Sequence, residues 1–190
     1  MLFRSPGEPD CTFADTKKTK KLLGWKSKVD INTGIKKSSK KYIAIMASDL
    51  ETNPTELRKM IQASMKNLDC IISADRWMVK NGFKNYGLIK FLSNFAFQKL
   101  IKFFYNYKIS DFTFAYRIYP KNSLKNYKID ELRHGFALEI LLYPIKQGYR
   151  VISIPSKWRK RKEGISSITF LSYISYLKVF WKFLWPQYRL

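Results

Sequence analysis

Two acids, Asp49 and Glu51, stand in the stretch IAIMASDLETNP at residues 43–54. An apolar run leads into them and an Asn–Pro pair follows, so both carboxylates fall in a turn between a strand and a helix. They are hard oxygen ligands of the kind Mg²⁺ accepts, since that ion takes one or two protein carboxylates and completes its shell with water and phosphate. The plain alternative is a pair of solvated acids, with Glu51 near the positive end of a helix. A second chemistry is anion binding. Arg76, Arg117, Arg159 and Arg161 each carry a guanidinium that grips phosphate oxygens as a fork. The run KWRKRK, residues 157–162, is basic at five of six positions; its plain alternative is a solvated basic loop. Asp111 reads equally as a group that orients a site and as the cap of a local turn. His134, the one histidine, stands at a helix start and is assigned no role.

The elements that position these residues follow from periodicity. YIAIMA, residues 42–47, is an apolar run that suits a strand buried on both faces, as in a parallel sheet. A helix follows with Asn53 as its cap, Pro54 at its first position and Glu56 three residues after the cap, ending near Asn67. DCIISA, residues 69–74, is a second buried strand, so strand, helix and strand form a βαβ unit with a right-handed crossover. An aromatic-rich helix is expected over residues 88–105, an extended segment up to Pro120, and a helix containing Pro144, which should kink it, with Gly148 as its stop. YRVISIP is a third strand.

Residues 168–185 form an amphipathic helix. Thr169, Ser172, Ser175, Lys178 and Lys182 lie on one side, and Phe170, Ile174, Leu177, Trp181 and Leu184 on the other. Its lysines argue against a spanning helix. The two readings left are a helix lying in a membrane interface and a helix packed on the domain's own core.

The chain has 190 residues, a hydrophobic content of 46% and a formal net charge of +22. That length and composition allow one domain with a real core. The charge implies an anionic partner: nucleic acid, a lipid surface or a phosphorylated substrate. Between residues 17 and 41 there are ten lysines and one acid, and a short helix is expected near residues 14–25. Cys11 and Cys70 lack metal-type spacing and fit a reducing compartment. The opening MLFRSPGEPDC has no apolar core, so no signal peptide is expected. Three segments result: a basic segment and linker at 1–40, an α/β domain at 41–167, and the helical segment at 168–190.

From Tyr42 to about residue 185 the chain resembles the family 2 glycosyltransferases with the GT-A fold, and within them the branch that moves a sugar from a nucleotide onto a polyprenyl phosphate. The blocks that carry the resemblance occur in order: IAIMASDLETNP, DCIISADRW, SDFTFAYRIYP and GFALEILLYPIKQGYRVISIPSKWRKRKEGISS. Residues 6–38 resemble instead the C-terminal tail of NAD-dependent nucleotide-sugar epimerases and dehydratases. The Gly-rich turn of a nicotinamide fold is absent, and the Tyr-x-x-x-Lys spacing of Tyr86 and Lys90 reads as chance.

The resemblance implies a partial GT-A (Rossmann-like) sheet with flanking helices, without the opening units that hold the nucleotide. It implies Mg²⁺ or Mn²⁺ on Asp49 and Glu51, Ala47 standing where the family places its first acid. It assigns catalysis to Asp49 and Glu139, and binding of substrate phosphates to Arg76, Asp111, Arg117, Arg159 and Arg161. The partners implied are a nucleotide-sugar donor, a lipid-phosphate acceptor and the cytoplasmic face of an anionic membrane. Two other hypotheses stand beside this enzyme. One is a chimeric remnant without activity. The other is a basic nucleic-acid module, which shows no motif of its own and requires steep salt dependence; no specific nucleic-acid partner is expected.

Overall fold

The computed structural model describes residues 31–47, 51–131, 133–160 and 170–184. Helix α1 (Ile31–Lys37) is followed by strand β1 (Tyr42–Ile45), helix α2 (Glu56–Lys66) and strand β2 (Ile71–Asp75). The short strand β3 (Phe83–Lys84) leads to the long helix α3 (Leu88–Tyr105) and strand β4 (Arg117–Pro120). Helix α4 (Phe136–Lys146), strand β5 (Val151–Pro155), the short strand β6 (Trp158–Arg159) and helix α5 (Phe170–Leu184) follow. The helix expected near residues 14–25 lies outside the described residues, as do Asp49 and Arg161.

Local chemistry explains the helix ends. Asn53 Oδ1 accepts the Thr55 N–H at 3.1 Å and the Thr55 hydroxyl at 2.8 Å. Asn53 therefore organises the turn into α2, although the regular helix starts at Glu56 rather than Pro54. Glu56 does not reach back to the cap; its Oε2 accepts the Ser156 hydroxyl at 2.5 Å and ties α2 to the loop after β5. Helix α4 contains Pro144 and ends two residues later. Gly148 takes φ +85°. The Gly148 N–H donates to Ile145 O and the Tyr149 N–H to Pro144 O, both at 3.0 Å. That pair of bonds is a Schellman stop, which needs the left-handed conformation that glycine adopts without strain.

One mixed sheet has the order β1-β4-β2-β5. Strands β1 and β2 both run antiparallel to β4, and β5 runs parallel to β2. The expected βαβ unit is thus present in direction but not in adjacency, because β4 lies between its strands. Nor is β1 buried on both faces: it is an edge strand, half-buried except for exposed Ala44. Every residue of β2 is buried, as expected of a strand in the middle of a sheet with helices over both faces.

Side chains alternate across the sheet and split the core in two. Ile71 and Tyr119 pack with α1, α3, α4 and α5. Ile72, Ala74 and Ile118 pack with Met60 of α2 and with Trp158. Helix α1, expected within a separate basic segment, contributes Ile35 to the first cluster. Its Asn32 Oδ1 also accepts the Ile129 N–H at 3.0 Å.

Helix α5 packs on the core through a face that its periodicity does not single out. Among its described side chains, Val179, Phe180 and Phe183 are the buried ones. Ser175 and Lys182, expected on a solvated side, bond inward. Ser175 Oγ accepts the Gly135 N–H at 2.8 Å, and a Cβ at position 135 would sit 2.7 Å from that oxygen, so only glycine allows the approach. Of the face expected to be buried in lipid or core, Ile174, Leu177 and Trp181 are exposed by 40–54%, whereas Leu184 is partly buried against the first cluster.

Candidate active site

A cavity of about 940 Å³ reaches from Ala47, just past β1, to Tyr173 and Tyr176 on α5. Glu51 and Thr52 form one wall, Arg76 and Tyr86 another, and residues 113–116 a third, while Trp158 and Lys160 close it from β6. The wall combines aromatic rings (Tyr86, Phe114, Tyr116, Trp158, Tyr173 and Tyr176) with charged groups, among them Glu51, Arg76, Lys90 and Lys160, a mixture of apolar surface and orienting polar groups found in small-molecule sites.

Glu51 is anchored from β6. Its Oε2 accepts the Trp158 Nε1–H at 2.8 Å, and its carbonyl accepts the Arg159 N–H at 2.9 Å. Thr52 is 4% exposed. Its Oγ1 and the Trp77 Nε1 are buried without a hydrogen-bond partner among the described residues. Strand β6 is set beside β3 by parallel pairing of Phe83 with Trp158 and Lys84 with Arg159. Gly82 makes this possible, since a Cβ there would meet Arg76 O at 2.0 Å.

Arg76 lines the cavity but its fork is occupied. Nε donates to Asp111 Oδ2 at 2.6 Å and Nη2 to Asp111 Oδ1 at 2.9 Å. The guanidinium also sits 4.8 Å from the Phe83 ring centre and 4.5 Å from that of Phe114, a cation–π sandwich. Burial alone would push the Arg76 pKa down and the Asp111 pKa up. The facing charges and their hydrogen bonds outweigh burial, raising the first and lowering the second. Thr113 Oγ1 accepts from Arg76 Nη2 at 3.2 Å, Asn94 Nδ2 at 3.0 Å and Gln98 Nε2 at 3.1 Å. Tyr86 lines the cavity beside this pair, and burial pushes its phenol pKa up.

Two residues assigned to the site from the sequence lie in the core instead. Arg117 is fully buried, and its guanidinium donates to Ser73 Oγ at 3.0 Å, Ala137 O at 2.5 Å and Phe112 O at 2.9 Å. It clamps β2, α4 and the loop before β4, and does not border the cavity. Glu139 is also fully buried. It accepts from Lys182 Nζ at 2.7 Å, the Tyr127 hydroxyl at 2.6 Å and the Glu131 N–H at 2.7 Å. A carboxylate held by three donors on the α4–α5 side is poorly placed to act as a base in this cavity. In both cases the residue type is right for the chemistry, and the partners that occupy it include groups 44 and 43 residues away, Ser73 and Lys182.

Arg159 is exposed on β6 and borders a second pocket of about 500 Å³ with Lys84, Lys157 and Lys160. This pocket meets the aromatic cavity at Asn85, Trp158 and Lys160, which line both. The geometry adds Thr52, Tyr86, Lys84 and Trp158 to the candidate residues. Trp158 carried a signal, as the one aromatic inside a basic run; Thr52 carried none. Among the described residues no group of three or more His, Cys, Asp or Glu side chains is positioned to hold a metal, and Asp49 lies outside them.

Residues 28–128 match the family described as Glycosyl transferase family 2. The match includes α1 and residues 28–38, and it carries β1, β2, the Arg76–Asp111 pair and β4. It spans more than half of the chain, and the mixed sheet flanked by helices agrees with a partial GT-A fold. The chain belongs to glycosyl transferase family 2.

Proposed function

We propose that this chain transfers a sugar from a nucleotide-sugar donor to a polyprenyl-phosphate-type acceptor at an anionic membrane surface. The observation that carries the reading is the junction of a largely aromatic cavity with a basic pocket, the two sharing Asn85, Trp158 and Lys160. An aromatic cavity with Glu51 on its wall adjoins a pocket bordered by Lys84, Lys157, Arg159 and Lys160. Sugars present apolar ring faces and hydroxyls, which suit the first; donor diphosphate and acceptor phosphate suit the second. In the transfer, an acceptor phosphate oxygen forms its bond to the anomeric carbon while the bond from that carbon to the diphosphate breaks. The electron pair leaves with the nucleoside diphosphate, and the cations at the junction stabilise the charge that gathers there. The acceptor is already an anion and does not require a strong general base, in keeping with Glu139 being tied elsewhere.

Glu51 puts a hard carboxylate on the cavity wall, which fits one of the one or two protein ligands that Mg²⁺ takes. Glu51, with Asp49 two residues before it in sequence, would hold Mg²⁺ or Mn²⁺, and the bound ion would supply neutralisation of the leaving diphosphate.

The membrane part of the proposal rests on α3 and α5. They pack through Phe97 against Tyr176 and Phe104 against Phe180. Leu88, Ile89 and Phe103 of α3 are 72–82% exposed, and Ile174, Leu177 and Trp181 of α5 also face outward. Among the described residues no helix is long and apolar enough to cross a membrane, so these side chains suit a surface lying in the headgroup region.

A second reading, a family member without turnover, is favoured by the internal pairing of Arg76, Asp111, Arg117 and Glu139. The deciding experiment supplies labelled UDP-glucose or GDP-mannose, Mn²⁺ and polyprenyl phosphate in phosphatidylglycerol vesicles. Label in the lipid extract supports transfer. No label from either donor, with the protein folded and bound to vesicles, leaves the reading without turnover.

A further inference from the structure

One corner of the cavity holds more hydrogen-bond donors than acceptors. Arg76 Nη2 at 3.2 Å, Asn94 Nδ2 at 3.0 Å and Gln98 Nε2 at 3.1 Å all donate to Thr113 Oγ1. A hydroxyl oxygen has two lone pairs, so the three are not all satisfied at once. Asp111 gives little relief. Its Oδ1 already accepts from Arg76 Nη2 at 2.9 Å and from the Phe114 N–H at 3.2 Å, and its Oδ2 accepts from Arg76 Nε at 2.6 Å. The Asn94 amide carries two N–H donors, and its Nδ2 meets one acceptor, Thr113, among the described residues. Asn94 and Thr113 are both partly exposed and both line the cavity, so a ligand there reaches them.

The corner's chemistry indicates which ligand group it takes. The Arg76 charge is matched by Asp111 within the corner itself, so the groups left to bind are an amide and a hydroxyl. Phe114 and Tyr86 line the cavity beside them. A sugar has hydroxyls at its rim and C–H groups on its faces, which suit an amide set among aromatic rings. Neither Asn94 nor Thr113 borders the basic pocket, where the proposed function places phosphate. We propose that Asn94 is a substrate-binding residue whose amide donates to a hydroxyl oxygen of the transferred sugar, with Thr113 holding the amide in place. This rests on the reading of the cavity as a nucleotide-sugar site, and it assigns the sugar end of the donor to the corner where α3 meets the loop before β4. Lys90, one helical turn before Asn94, lines the same cavity, so phosphate is the rival occupant.

Asn94→Ala separates sugar from phosphate. Calorimetry with Mn²⁺ should compare UDP-glucose with UDP, and GDP-mannose with GDP. For the nucleotide sugar that the wild type binds, the variant should lose about three- to tenfold in affinity. Its affinity for the matching nucleoside diphosphate should stay within about twofold, which also shows that the variant is folded. Alanine and leucine both favour a helix more than asparagine does. If Asn94→Ala lacks a cooperative melting transition, Asn94→Leu is read in the same way. Monodeoxy analogues of the bound donor give a readout that a structural role would not move. One of them should bind wild type and variant equally, because the hydroxyl that meets Asn94 is already missing. Loss of the same size for every analogue overturns the assignment. Equal binding of the nucleotide sugar by variant and wild type also overturns it, while leaving the cavity a donor site. An equal loss for the nucleotide sugar and its diphosphate overturns it too, by giving the corner to the phosphates or the nucleoside. A wild type that binds no nucleotide sugar removes both this inference and the function it rests on.

Discussion

The Arg76 guanidinium is neutralised by Asp111 and flanked by aromatic rings, so it organises the cavity wall while its fork stays occupied. Removing one partner of such a buried pair leaves the other charge uncompensated. Asp111→Asn should therefore lower the unfolding free energy by about 3–5 kcal/mol in urea titrations. Its pH dependence has a definite sign. Burial opposes the Asp111 charge, but Arg76 outweighs it and holds the pKa below the usual carboxylate range. A pKa lower in the folded than in the unfolded chain gives stability that is complete above the unfolded value, about 4, and is lost as pH falls through the folded value. The wild-type melting temperature should decline more steeply below about pH 4 than that of Asp111→Asn. Glu51→Gln keeps an acceptor for the Trp158 indole and removes only charge. It should cost roughly tenfold in the Mn²⁺-dependent part of donor binding, the scale of one charge-assisted contact, as read by calorimetry with and without Mn²⁺. At this scale the sequence shows chemistry but not allocation. Arg76, Asp111, Arg117 and Glu139 are all visible as charged residues in suggestive blocks. Whether a charge meets substrate or protein depends on partners 35 or 43 residues away.

Among the elements, α5 holds the fold and presents a surface with different sides. Phe180 and Phe183 are fully buried, worth roughly 1.5–3 kcal/mol each, and Lys182 bonds Glu139, Asp130 and Tyr127. Lys182→Met should strip the counter-charge from buried Glu139 and destabilise the α4–α5 contact by about 1.5–3 kcal/mol. Hydrogen exchange should show that loss in α4 and α5 before β2. Deleting the helix would unfold part of the core, so substitution is the cleaner membrane test. Replacing Ile174, Leu177 and Trp181 together by serine should reduce flotation with phosphatidylglycerol vesicles several-fold with little change in melting temperature. Unchanged flotation would place the membrane contact elsewhere. Helix positions were readable from caps, glycine stops and periodicity, as α3 and the Gly148 stop of α4 illustrate. Which face of α5 turns inward was not, because aromatic residues occupy both sides and serine and lysine found buried partners. The edge position of β1 was equally hidden: its apolar run resembles that of a central strand, and only the insertion of β4 beside it decides the matter.

The whole molecule has a net charge of +22 and two adjoining pockets, one lined largely by aromatic side chains and one by lysines and Arg159. The charge alone admits nucleic acid, lipid or phosphorylated substrate; the membership in glycosyl transferase family 2 narrows it to a nucleotide-sugar donor and an acceptor, for which a lipid phosphate is the proposal. The proposed function has the donor's sugar in the aromatic-lined cavity and phosphate at the basic pocket. The direct measurement is calorimetric titration of UDP-glucose and GDP-mannose with Mn²⁺ into the wild type and into the triple variant Lys157→Ala, Arg159→Ala, Lys160→Ala. Saturable binding of at least one donor by the wild type is expected, weakened about tenfold or more in the variant as phosphate contacts are removed. No heat from either donor with the wild type, or equal affinity in the two proteins, would contradict it.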